Sequence, residues 1–199
     1  MLSAIIVSIS YIAAQMLSDI GSLQIVQFLG LSIDAGTFIY PITFTLRDLA
    51  HKVLGKKLVR VLIISAAVIN LVMAFYFWLV SIMKPDTSAG SSAAWGSILA
   101  PVWRITIASI IAEVASELTD TEIYHLWVTR ITEKVQWLRV LVSNSFSVPL
   151  DSLIFSFLAF YGKMPTSVVW QIFWGNVVIK MVVTFVSMPM IYLVKEKEV

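Results

Sequence analysis

The 199-residue chain is 59% hydrophobic and only 13% charged, and its mean hydropathy is +0.89. Soluble domains carry about 25% charged residues, so this composition indicates an integral membrane protein. The formal net charge of +2 argues against nucleic-acid binding, and the absence of cysteine excludes disulfides, thiolate metal sites and a cysteine nucleophile.

Apolar runs predict an all-α polytopic membrane protein with six helices in a single transmembrane domain, residues 1–199. About 20 residues, at about 1.5 Å rise each, cross the hydrocarbon core. Residues 1–21 lack a basic n-region and a cleavage site, so we expect them to be retained as the first span. The spans are predicted at residues 2–20, 36–54, 58–83, 98–120, 138–161 and 166–194.

Lys and Arg concentrate in the connections after the second and fourth spans and after the sixth span. Loops rich in these residues stay in the cytoplasm, so we predict cytoplasmic termini and a location in the cytoplasmic (inner) membrane. The predicted cytoplasmic side holds Lys52, Lys56, Lys57, Arg60, Arg130, Lys134, Arg139, Lys195 and Lys197, and the opposite loops hold Lys84 and Lys163.

A carboxylate, Asp151, lies in the middle of the apolar run 140–161. A charge at mid-membrane costs several kcal/mol, so it rarely faces lipid and is usually functional. Asn144 and Ser147 share its helix face, and Pro149 leaves a backbone carbonyl without its usual donor. This polar patch predicts part of a substrate-binding site; the alternative is an interhelical hydrogen bond that only holds the bundle together.

The fourth span carries a stripe of carboxylates. Glu113, Glu117 and Asp120 share one helix face, and Arg104 points to the other side. A polar stripe from mid-membrane toward the cytoplasm suits a permeation route. Glu117 and Asp120 could instead be hydrated at a helix end, and Arg104 could instead extend to the interface.

Other spans supply further polar and aromatic faces. Lys180, far from both ends of the sixth span, is predicted to face a carboxylate or a wet cavity, with Asn176 on the same side. In the second span Tyr40, Phe44 and Asp48 recur at every fourth position. In the first span a polar face comprises Tyr11, Gln15, Ser18 and Asp19.

Motifs of enzyme chemistry are absent from the sequence. There is no His-Glu-x-x-His pair, phosphate-binding glycine loop or nucleophile elbow. An intramembrane aspartyl protease would need two aspartates at one depth, and the partners available to Asp151 are Asp48 and Asp120, both nearer the cytoplasm. We therefore predict no enzyme activity, no catalytic residues, no metal and no cofactor.

Four segments occur in a distinctive order and spacing from residue 35 onward: Phe38 to Phe44 followed by Asp48 and Gly55; Arg104 to Ser109 followed by Glu117 and Asp120; Asp151 to Phe155 followed by Ala159 and Phe160; and Lys180 before Pro189. In this arrangement the chain resembles the queuosine precursor transporter family, whose members are also labelled putative vitamin uptake transporters. The resemblance implies a six-helix carrier for 7-deazaguanine bases, namely preQ0, preQ1 or queuine.

The residues suit that ligand class. A 7-deazaguanine presents two parallel donors, which a carboxylate such as Asp151 or Glu117 can accept, and a carbonyl suited to Lys180 or an asparagine. Its flat ring suits stacking on Tyr40 or Phe44. The cationic arm of preQ1 would need a second carboxylate, for which Glu113, Glu117 and Asp151 are candidates.

The predicted function is therefore import of a queuosine precursor by a secondary transporter in the lipid bilayer. Two alternatives stay open: a vitamin-binding subunit of an energy-coupling-factor transporter, which would require ATPase partners, and a non-transporting membrane scaffold. The six spans could form a 3+3 inverted repeat with a midplane site. A homodimer is compatible with the sequence.

Overall fold

The computed structural model describes residues 2–86, 88, 93–130 and 136–187 of the chain. Within these ranges the side chains of Asp48, Glu117 and Asp120 also lie outside the described part. The helices are α1 (Leu2–Gly21), α2 (Tyr40–Leu54), α3 (Lys56–Ile82), α4 (Ala93–Leu99), α5 (Val102–Arg130), α6 (Gln136–Phe160) and α7 (Thr166–Ser187).

The distribution of polarity is the reverse of that in a soluble protein. Exposed positions of α3 carry large apolar side chains such as Ile64, which is 65% exposed, whereas Asp151, Asn176 and Lys180 are buried. Apolar groups outside and polar groups inside fit a bundle whose solvent is lipid. Together with the apolar helices, this arrangement makes the chain a multi-pass membrane protein.

Among the described residues, four helical stretches are long and apolar enough to cross a membrane. They are Ser3–Gly21, Lys57–Ile82, Ala94–Ser116 and Thr166–Val186. A shorter apolar helix covers Asn144–Phe160. Within the described residues, α1, α3, α6 and α7 thus coincide with the predicted first, third, fifth and sixth spans to within about two residues, while the number of six spans stays a prediction.

Two predicted spans differ in their bounds from the observed helices. The second was expected from residue 36, but α2 begins at Tyr40 and has 15 residues, or about 22 Å. A single 3-10 turn, Ala35–Phe38, precedes it, because Asp34 caps the backbone N–H of Thr37. The fourth was expected at residues 98–120, but a separate helix, α4, ends at Leu99, and α5 begins at Val102 and continues to Arg130.

The connection between α1 and α2 contains a β-hairpin that the all-α prediction lacked. Strands β1 (Ile25–Phe28) and β2 (Leu31–Asp34) pair antiparallel, with Phe28 opposite Leu31. The two turn residues, Leu29 and Gly30, have φ of 51° and 82°. Positive φ at both positions gives the turn the twist that a two-residue hairpin requires.

The hairpin and the 3-10 turn are packed closely between α1 and α7. A methyl group on Gly36 would lie 2.2 Å from the Ser18 carbonyl oxygen, and one on Gly175 would lie 2.6 Å from Ile33 Cγ1. Only glycine allows such approaches. This segment therefore closes one end of the space between α1 and α7.

The pair α5–α6 forms the largest apolar core. The two helices run antiparallel, since Arg104 at the start of α5 donates to the carbonyls of Leu158 (2.7 Å) and Tyr161 (2.6 Å) at the end of α6. The core between α5, α6 and α7 consists of Ile105, Ala108, Ala112, Phe155, Ala159, Phe160, Val169 and Ile172. Asp151 lies one or two turns beyond this core and faces a cavity.

Candidate functional site

A cavity of about 270 Å³ lies between α1, α2, α5, α6, α7 and the 3-10 turn. Elements from both ends of the chain meet here, so the cavity exists only after the helices have packed. Its lining is mainly polar or aromatic and comprises Ser18, Asp19, Ser22, Asp34, Thr37, Tyr40, Ser109, Ala112, Asp151, Phe155 and Lys180.

An ion pair between Lys180 and Asp151 forms one part of the lining. Lys180 Nζ donates to Asp151 Oδ2, and both side chains are at most 3% exposed. The ammonium also lies 4.6 Å from the Tyr40 ring centroid and 6.0 Å from that of Phe155. Carboxylate and ring faces together compensate a cation that burial would otherwise make very costly.

The second oxygen of the same carboxylate has no protein partner among the described residues. Asp151 Oδ1 is buried and lacks a hydrogen bond, as do the neighbouring hydroxyls of Ser152 and Ser156 on α6. Buried acceptors are normally satisfied, and exceptions point to a function. Asp151 can therefore accept a donor from a molecule in the cavity while keeping its ion pair.

A second carboxylate of the lining, Asp19, comes from the last turn of α1. It is 3% exposed, and the hydroxyl groups of Thr106 and Ser109 on α5 lie beside it. Its Oδ2 atom has no hydrogen-bond partner among the described residues. Asp19 is thus a buried carboxyl group whose described neighbours on α5 are hydroxyl groups.

A third carboxylate, Asp34, is fully engaged by the protein. Its Oδ1 accepts from the Ser22 hydroxyl at 2.7 Å and from the Thr37 backbone N–H at 3.1 Å, and its Oδ2 accepts from the Thr37 hydroxyl at 2.7 Å. The Thr37 hydroxyl also lies 2.6 Å from the side-chain oxygen of Asn176. Asp34 therefore fastens the 3-10 turn to α1 and α7.

Glu113 belongs to a polar cluster next to the cavity and is not itself one of the lining residues. Its Oε1 accepts from the Tyr11 hydroxyl at 2.9 Å and from Gln15 Nε2 at 3.0 Å. Asn70 Nδ2 donates to Gln15 Oε1 at 3.4 Å, which joins α3 to this cluster. Ala112, the residue before Glu113, lines the cavity instead.

The other predicted residues occupy three kinds of position. Phe44 packs edge-on against Tyr40, with ring centroids 5.4 Å apart, and so supports the lining from behind. Arg104 binds carbonyls at the end of α6, outside the cavity lining. On α6, Ser147 is buried and Asn144 is half-buried. The predicted substrate contacts of Asp48 and Glu117 stay predictions, because the side chains of these two residues are not among those that the structure describes.

The structure thus brings Tyr40, Asp151 and Lys180 together as predicted neighbours and adds residues that the sequence analysis had not proposed as a site. Asp34 and Thr37 lie in a connection, where a pattern of apolar spacing gives no signal. An Asp three residues before a Thr at a helix start is a capping pattern, and it could have drawn attention to this segment.

Two comparisons with known proteins bear on this site. The family model described as "putative vitamin uptake transporter" matches residues 34–194. The chain belongs to this family. It is also similar to a protein of Bacillus subtilis (strain 168) named "probable queuosine precursor transporter", with 26% identity over 185 residues, 92% of this chain and 80% of that protein. No solved structure matches the chain.

Membership in the putative vitamin uptake transporter family confirms the family predicted from the four sequence segments, and it makes the chain a member of a family of transporters and not of enzymes. The matched region contains Asp34, Tyr40, Asp151 and Lys180 of the cavity lining. Asp19 precedes the matched region, so its place in the cavity is known from the structure alone.

Proposed function

We propose that this protein is a secondary transporter that imports a 7-deazaguanine base, a precursor of queuosine such as preQ0, preQ1 or queuine, across the cytoplasmic membrane. The name of the B. subtilis relative supports the substrate class. The observation that carries the proposal is Asp151, a buried carboxylate that keeps one oxygen on Lys180 and has the other unpartnered among the described residues.

The chemistry of the cavity suits such a base. The ring N–H and the exocyclic amino group of a deazaguanine are parallel donors for Asp151, and Lys180 can donate to the ring carbonyl. Tyr40 offers a ring face for stacking.

Two further predicted residues, Phe44 and Asn176, support residues of the cavity lining in this proposal. Phe44 holds the Tyr40 ring, and Asn176 holds Thr37 at the rim of the cavity. Six spans with cytoplasmic termini would place the base near mid-membrane between the two halves of the chain. The remaining proposed substrate contacts along the route are Asp48, Arg104, Glu113, Glu117, Asn144 and Ser147.

A thermal-shift assay on the detergent-purified protein tests ligand binding. A ligand that binds only the folded state raises the melting temperature by mass action. We expect a rise with at least one of preQ0, preQ1 and queuine, and none with guanosine. A double variant, Asp151→Asn with Lys180→Met, removes both charges together and should abolish the rise, whereas Lys163→Gln, at an exposed lysine, should retain it.

A second measurement determines whether the chain transports the base alone or together with ATPase subunits. Uptake of the same base into liposomes that contain only this chain would support a secondary transporter. Uptake that required copurifying ATPase subunits would instead make the chain a binding subunit of an energy-coupling-factor transporter. A shift with a vitamin and with no deazaguanine would overturn the proposed substrate.

A further inference from the structure

Among the described residues, the cavity lining holds more acidic than basic side chains. Three carboxylates, Asp19, Asp34 and Asp151, face one ammonium, that of Lys180. No other Lys or Arg of the residues that the structure describes belongs to this lining. A neutral base would leave the imbalance in place, whereas a ligand with one positive charge would reduce it.

The three carboxylates differ in what the protein supplies to them. Asp151 has Lys180, and Asp34 accepts three hydrogen bonds from Ser22 and Thr37. Asp19 has the hydroxyl groups of Thr106 and Ser109 beside it, and its Oδ2 has no partner among the described residues although Asp19 is 3% exposed. Within the described part of the chain, Asp19 is therefore the carboxylate of this cavity that can take up a cation.

We infer that Asp19 binds a cationic amino group on the ligand, so that the transporter prefers a 7-deazaguanine with a protonated aminomethyl arm over one with a neutral substituent. This inference rests on the proposed function. Asp151 and Lys180 bind the guanine-like edge, which all members of the class share. Asp19 binds the arm, which differs among them.

The chemistry of the arm supports this division of roles. A primary alkylamine has a pKa near that of lysine, about 10.4, so the arm of preQ1 is charged at neutral pH. The nitrile of preQ0 is neutral. Charge-assisted hydrogen bonds are roughly twice as strong as neutral ones, and burial strengthens them further.

Glu113, the alternative acceptor suggested by the sequence, is less suited to this role. Its Oε1 already accepts hydrogen bonds from Tyr11 and Gln15, and it does not line the cavity. In this inference the aminomethyl arm of the ligand therefore contacts Asp19, at the end of α1, and not Glu113, in the polar stripe of α5.

Dissociation constants for preQ1 and preQ0, measured by calorimetry on the full chain, test the inference. We expect the unaltered protein to bind preQ1 at least about tenfold more tightly. Asp19→Asn should remove this preference and change preQ0 binding by less than about threefold. Asp34→Asn is the matched control: it neutralises a carboxylate of the same cavity, keeps a capping oxygen, and should preserve the preference.

The outcomes separate this inference from the proposed function. If neither base binds, the proposed function fails. If both bases bind and Asp19→Asn weakens them equally, or if preQ0 binds as tightly as preQ1, the inference is overturned. It is also overturned if Na⁺ raises the melting temperature only when Asp19 is present and the preference survives in Asp19→Asn, because the carboxylate would then hold a coupling ion.

A change in the ligand gives the same test without a variant. The hydroxymethyl analogue of preQ1 has nearly the same size as preQ1 but carries no charge. We expect it to bind the unaltered protein at least about tenfold more weakly than preQ1. Equal affinity would overturn the inference even if Asp19→Asn did not fold.

Discussion

At the scale of single residues, the protein depends on buried charges that are compensated individually. Lys180 is held by Asp151 and by the face of Tyr40, and Asp34 by hydroxyl and backbone donors. In an apolar bundle each of these groups would be costly without its partners. The same groups line the cavity, so the residues that compensate buried charge are also those of the candidate site.

Removing one member of the Lys180–Asp151 pair should destabilise the protein much more than removing both. Lys180→Met alone leaves a buried carboxylate without its cation, and a loss of about 3–5 kcal/mol in the free energy of unfolding is expected. Asp151→Asn with Lys180→Met should regain most of this loss. Denaturant unfolding in detergent measures the double-mutant cycle, and additive effects would contradict a coupled pair.

At the scale of elements, the segment between α1 and α2 determines the shape of the cavity. The hairpin packs β2 against α7, where Gly175 allows Ile33 to approach. The 3-10 turn then carries Asp34 and Thr37 into the lining. A loop without the hairpin and the 3-10 turn would not bring Asp34 and Thr37 into the cavity lining.

A methyl group at Gly175 should weaken this contact. Gly175→Ala would place Cβ 2.6 Å from Ile33 Cγ1, and overpacking of this kind costs about 1–3 kcal/mol. Ile33→Ala removes the colliding atoms, so the double variant should be no less stable than Ile33→Ala alone. Melting temperatures of the three variants test this, and an unchanged penalty for Gly175→Ala in the Ile33→Ala background would contradict it.

At the scale of the whole molecule, the distribution of Lys and Arg predicts the orientation in the membrane. The absence of cysteine allows this to be tested with single introduced cysteines. Lys57 and Lys163 are both exposed, at opposite ends of the predicted spans. In intact cells a membrane-impermeant maleimide should label Lys163→Cys, and it should label Lys57→Cys only after permeabilisation. The reverse pattern would contradict cytoplasmic termini.

The sequence by itself determined the class of the protein and the positions of its helices, because length and apolarity are local properties. It also identified Asp151 and Lys180, since a charge inside an apolar run must find a partner. It named the family through segments that the family comparison then matched.

Only the tertiary structure decided which polar groups share one cavity. Glu113 was predicted to contact the substrate, which stays a prediction, and only the packing of the helices shows that it accepts hydrogen bonds from Tyr11 and Gln15. The same packing brings Asp19 and Asp34 beside Asp151, although more than 100 residues separate them along the chain. The rotation of each helix about its axis depends on contacts with its neighbours, and those contacts are not encoded in any single segment.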